Sequence, residues 1–171
     1  MMFVTAAVGV LAAAVVPQLN ATIEHTRTIS AARYLAARLA FARAQAVARS
    51  ANVALLLTVA GDTATVAMYV DENGNGVRTR DIAAGIDRSM AAPVSLANVF
   101  PHVVLSLNDP ANPTATTSAL MSFTPLGTAS SGTLYLRGRD GSQYAVRVLG
   151  ATGRTRVLRY TAATRAWVEV L

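Results

Sequence analysis

The chain has 171 residues, room for one domain with an appendage, and carries 53% hydrophobic and only 14% charged residues, against roughly 25% charged in an ordinary soluble domain. It has no cysteine, which excludes disulfides, thiolate metal sites and cysteine nucleophiles. The net charge is +6, and neither a Gly-x-Ser-x-Gly elbow nor a P-loop nor a Gly-x-Gly-x-x-Gly loop occurs, so the expectation is a protein that is not an enzyme.

Residues 1–16, MMFVTAAVGVLAAAVV, hold no charge and one hydroxyl, Thr5. The run is slightly shorter than the roughly 20 residues that span a bilayer. It lacks the basic flank of a secretory signal. The helical pattern continues past Pro17, so Pro17 is expected to kink a helix rather than end it. From Thr26 to Arg49 there is no Gly or Pro, and Ala and Arg abound, all compatible with helix. Thr28, Ala32, Leu35, Leu39, Ala42 and Ala46 form one stripe of small and apolar side chains.

Beyond Ser50 the period changes to strands. Asn52–Val59 and Thr63–Val70 flank Gly61-Asp62 as a hairpin. Asp71–Met90 is expected to be a loop, as is the stretch with Asn108, Pro110, Asn112 and Pro113 between strands at Val103–Leu107 and Leu120–Phe123. Thr133–Arg137, Tyr144–Leu149, Arg154–Tyr160 and Ala166–Val170 make a meander. The expected fold is α+β: a long N-terminal helix, then an antiparallel β-sheet or β-sandwich head. The division is 1–25, an apolar helix for a membrane or filament core; 26–50, its amphipathic continuation packing on the head; and 51–171, the β-rich head.

Three stretches carry a family likeness: VGVLAAAVVPQL with Pro17, DENGNG at 71–76, and FTPLGTASSGTLYL followed by GRTRV through residues 123–157. With the order of elements, they make the chain resemble type IV pilins and the pseudopilins of type II secretion, and within that group the GspH/FimT family of minor pseudopilins. The resemblance implies a structural subunit of a type II secretion or type IV pilus system that assembles with other pilin or pseudopilin subunits through its N-terminal helix. It implies a single pass through the bacterial inner membrane with the head in the periplasm, and a place in the pilus or pseudopilus once assembled. Family members begin with a box that the prepilin peptidase cleaves and methylates. Met1-Met2-Phe3-Val4 look like the residues that follow such a box, so the true start is expected upstream, with the peptidase as a further partner.

Two constellations are candidate sites. Asp71, Asn73 and Asn75 with Gly76 match the opening of a calcium loop, and Asp81 would complete the ligands. Against this, the twelfth position is Ile82 where a bidentate Glu is required, and Asn-Gly pairs are ordinary turn chemistry. A calcium site and a structural turn both stand; no other cofactor is expected. The second constellation is basic. Residues 132–171 hold seven arginines against Asp140 and Glu169. Arg154 and Arg156 lie two apart on one strand face, and Arg137, Arg139, Arg147, Arg159 and Arg165 share the meander. Such a cluster can neutralise phosphates, and Gly153-Arg154-Thr155-Arg156 resembles the DNA-binding element of FimT-type pilins that serve DNA uptake. That gives the alternative function, capture of double-stranded DNA. A solvated strand edge bearing charge against aggregation explains the same residues. His25 and His102 lack acidic neighbours at metal spacing and are expected to be structural.

Overall fold

The computed structural model describes the backbone of residues 2–110 and 112–170, and their side chains except at 2–21, 113 and 115. Helix α1 runs from Met2 to Arg49. The bend expected at Pro17, and the packing of the apolar run, fall on side chains outside the described set. Thr28, Ala32, Leu35, Leu39, Ala42 and Ala46 are all fully buried, the stripe that the spacing predicts. Thr28 tolerates this because its hydroxyl donates to the Glu24 carbonyl oxygen at 3.0 Å. The helix ends in a Schellman arrangement: Ser50 takes φ 53°, Ser50 N–H donates to Val47 O, and Ala51 N–H donates to Ala46 O.

Twelve strands and two short helices follow among the described residues. Strands β1 (Val53–Ala60) and β2 (Thr63–Val70) pair from Val53↔Val70 to Ala60↔Thr63, leaving a two-residue loop with Gly61 at φ 58°. Next come α2 (Thr79–Ala83), β3 (Arg88–Ser89), β4 (Val94–Ser95), α3 (Leu96–Val99), β5 (Val104–Ser106), β6 (Asn108–Asp109), β7 (Asn112–Thr116) and β8 (Leu120–Phe123). The meander is β9 (Gly132–Arg137), β10 (Gln143–Leu149), β11 (Arg154–Thr161) and β12 (Ala166–Glu169).

One antiparallel sheet has the order β3-β2-β1-β8, with β4 also on β2; the other runs β12-β11-β10-β9-β5. Alternation along β1, β9 and β10 turns Leu55, Leu57, Leu134, Leu136, Val146 and Val148 inward, and all are buried. They form one cluster with the α1 stripe, Met121 and Phe123. Each leucine so buried stabilises the head by roughly 1.5–3 kcal/mol of removed apolar surface. The protein is thus α+β, with α1 seated against both sheets.

Two expected loops contain structure. Within 71–90, α2 forms and Arg88 pairs with Val70, extending the first sheet. The stretch 108–116 is a hairpin of β6 and β7, with the Thr116 hydroxyl 2.9 Å from Asn108 Oδ1. Pro113 signals against a strand, yet a two-stranded ribbon has a free edge on which a missing N–H costs little.

Candidate functional site

The two halves of the third stretch, FTPLG and GRTRV, meet at one point on α1. Arg43 reaches off the flank of α1, and its Nε donates to the Gly127 carbonyl oxygen at 3.0 Å. Gly127 and Gly153 both have positive φ, 81° and 60°, and a Cβ on Gly153 would overlap the Gly127 carbonyl and the Arg43 side chain. The glycine of Gly-Arg-Thr-Arg therefore serves close packing of a turn on α1. Arg43 lies outside the helical stripe, and nothing in its spacing marks it off from the other helix arginines.

Strand register divides the seven C-terminal arginines into two groups. On the outer face of β10 and β11, Arg147 pairs directly with Arg156, and Arg154 lies two residues along. Arg156 reaches Glu169 at 3.0 Å, and Arg147 Nε donates weakly to Thr133 Oγ1 at 3.4 Å. The same face carries Trp167 between Tyr135 and Tyr160, with ring centroids at 5.6 and 5.3 Å. Tyr135 is buried, its hydroxyl pushed up by burial and by the Asp109 carboxylate to which it hydrogen-bonds. Arg137, Arg139, Arg159 and Arg165 lie toward the other end of the meander, at or near the β9–β10 and β11–β12 turns.

The loop after β2 closes on Asp71. Its Oδ1 accepts N–H bonds from Asn73 and Gly74, and its Oδ2 accepts from Gly76 and from Asn52 Nδ2. Burial pushes this carboxyl up, but the four hydrogen bonds together hold it below its ordinary value of 3.8. Asn73 Oδ1 is engaged by the Asn75 N–H at 3.2 Å. Asp81 and Asp87 are buried further along, and Asp87 accepts the Arg78 N–H while Asp81 faces Arg80 at 3.4 Å. The role of Asp87 was invisible in the motif, because it lies beyond the twelve-residue loop template. Among the described residues, no group of three His, Asp or Glu side chains gathers as a metal shell.

At the end of the head where α1 departs toward its N-terminus, His25 bridges helix and sheet. Its Nδ1 is 3.7 Å from Asp140 Oδ2 and its Nε2 is 3.3 Å from the Tyr144 hydroxyl. Gly138, in the same turn, leaves no room for a Cβ against Thr28. His102, at φ 66°, is exposed and lines a cleft with Asp62, Thr63, Arg137 and Arg139.

The side of α1 turned away from the sheets is unusually apolar. Ala37, Ala40, Ala44 and Ala48 are exposed, and so are Ile23 at 52%, Phe41 at 48% and Val47 at 51%. A helix face left to water is ordinarily charged or polar. Among the described residues no helix is long and apolar enough to cross a membrane; residues 1–21, which hold the apolar run, lie outside that statement.

No curated protein matches the chain. Among solved structures it is similar to the minor pseudopilin EpsH from the type 2 secretion system of Vibrio cholerae, at 15% identity and a TM-score of 0.49, over 78% of this chain and 97% of that one. The model of the family described as type II transport protein GspH matches residues 31–153, from the buried half of α1 through the Gly153 turn. That is most of the chain, and the protein belongs to the GspH family.

Proposed function

We propose that the protein is a minor pseudopilin of a type II secretion system, anchored in the inner membrane by the start of α1 and packed into the pseudopilus through the same helix. The observation that carries this is the exposed apolar face of α1. Alanines at 37, 40, 44 and 48 let another helix approach closely, and Ile23, Phe41 and Val47 offer apolar area that water alone would leave unsatisfied. The work is recognition and packing, with no catalytic step, and processing by the prepilin peptidase would precede it.

The absence of native cysteine makes a clean test. In cells holding the complete system, Ala44→Cys should cross-link to neighbouring pseudopilins, and Phe41→Glu with Ala44→Glu should abolish secretion while the head stays folded. Normal secretion by the double variant would sink this packing role.

A second reading is favoured by the register that brings Arg147, Arg154 and Arg156 together on the outer sheet face that also carries Trp167. Here the protein would take up double-stranded DNA through phosphate contacts, with Trp167 and Tyr160 available for stacking. It predicts salt-sensitive duplex binding by the whole chain that Arg154→Ala with Arg156→Ala removes. Absence of binding at low salt would leave only the packing role.

A further inference from the structure

The two ends of the head differ in what they present. At one end Arg43 is tied to the Gly127 and Gly153 turns. At the other, His25 and Thr28 meet the β9–β10 turn, and it is from here that α1 runs on toward its N-terminus. The antiparallel register brings the β11–β12 turn to this same end, because Arg159 pairs with Tyr144 and Thr161 with Ala166. Arg137, Arg139, Arg159 and Arg165 are all exposed here, and among the described residues none of them forms an ion pair. The acids nearby are largely engaged: Asp140 faces His25, Glu24 holds Arg27 at 2.7 Å, and Asp109, which shares a groove with Arg137, hydrogen-bonds Tyr135. Asp62 alone shares the cleft of about 670 Å³ that Arg137, Arg139 and His102 line. The end from which α1 departs is therefore strongly basic.

We propose that this end docks on anionic lipid headgroups, with Arg139, Arg165 and the Arg137 cleft contacting headgroup phosphates, so that the head rests on the bilayer before assembly. The inference builds on the membrane anchoring proposed above. A planar guanidinium suits bidentate phosphate contact, and a basic residue close to an anionic leaflet shifts the docked population by roughly fivefold. Anchoring by α1 would hold these arginines within about a Debye length of the surface, about 8 Å at physiological salt, so the attraction would be only partly screened. The outer-face group Arg147, Arg154 and Arg156 lies higher on the sheet and is not part of this surface.

Trp167, the chain's one tryptophan, stands at the start of β12 beside the Arg165 turn and reports the height of this end. The full chain would be reconstituted into vesicles of phosphatidylcholine, or of phosphatidylcholine and phosphatidylglycerol in equal parts, each with a headgroup-level spin label, and recovered by flotation. Quenching of Trp167 is expected to be at least about twofold greater in the anionic vesicles, consistent with a several-fold population shift. Arg139→Gln with Arg165→Gln should remove the difference, and Arg147→Gln with Arg154→Gln should keep it. If the chain floats with both vesicles and quenching is equal, headgroup docking is overturned and anchoring stands. If it floats with neither, both fall.

Discussion

Arg43 Nε and the Gly127 carbonyl oxygen lie 3.0 Å apart across 84 residues of sequence, and Gly153 is packed beneath that bond without space for a side chain. Gly153→Ala therefore has to displace backbone as well as occupy a left-handed φ of 60°. We expect a loss of about 2 kcal/mol or more, from strain and overlap together. Arg43→Ala, which takes the side-chain donor from the carbonyl of buried Gly127, should cost about 1 kcal/mol. Urea unfolding of both variants checks the order. Equal midpoints for Gly153→Ala and the parent chain would show that the turn relaxes freely.

How far the sequence anticipates this junction depends on the kind of signal. The α1 stripe was legible because burial on a helix repeats every three to four residues, and Thr28 through Ala46 carry that period without a break. Strands β8 to β12 were legible through alternation and through turns such as Asp140-Gly141. The β6–β7 hairpin was not, because Asn112 and Pro113 signal a turn locally while pairing with Asn108–Asp109 is a tertiary choice. The arginines were visible as a cluster in sequence, yet register alone separates Arg147 and Arg156 from Arg139 and Arg165. Arg43 and Asp87 act through partners distant in sequence or outside a motif template, and no local pattern announces them.

Asp71 gives the loop after β2 a pH dependence whose sign follows from its depressed carboxyl. The unfolded chain binds a proton near 3.8 and the folded chain only below that, so the unfolded state holds more protons in the window between. Stability from Asp71 is present above that window and is lost as pH falls through it. Asp71→Asn should be less stable than the parent chain at pH 7 and should converge toward it in acid. Parallel denaturation curves for the two at all pH values would show that the four hydrogen bonds contribute nothing.

The same loop offers a metal test. Asp71 is already satisfied by N–H donors, whereas Asp81 Oδ2 and Asp87 Oδ1 are buried without a hydrogen-bond partner. If the loop is a structural turn, adding calcium or a chelator leaves the melting temperature unchanged. A calcium-dependent rise that Asp81→Asn removes would restore the cation site read from the motif.

Burial raises Tyr144 above its ordinary 10.0, as the Asp140 carboxylate also does, while Arg159 and Arg33 pull the other way; Tyr135 is raised by its own burial and by Asp109. Of the five tyrosines in the chain, these two should ionise late in an ultraviolet titration. A phenol whose folded value is raised contributes stability that is complete below the unfolded value and fades as pH climbs toward the folded one. The head is therefore expected to weaken above pH 10, less so in Tyr144→Phe. A titration in which all tyrosines ionise together below 10 would contradict the burial of Tyr144 against His25.

Leu39 and Phe41 sit two residues apart on α1 and should behave oppositely. Leu39 is fully buried against the sheets, whereas Phe41 is 48% exposed on the far side. Leu39→Ala removes packed volume and should cost roughly 3 kcal/mol in the isolated chain. Phe41→Ala should change that stability by no more than about 0.5 kcal/mol. If the exposed face is a packing surface, the ranking reverses in secreting cells: a chain carrying Phe41→Ala folds and accumulates but incorporates poorly. Leu39→Ala loses abundance before it loses incorporation per folded molecule. Quantifying cross-linked against total subunit for each variant separates the two effects, and equal incorporation of Phe41→Ala and the parent chain would assign that face to solvent.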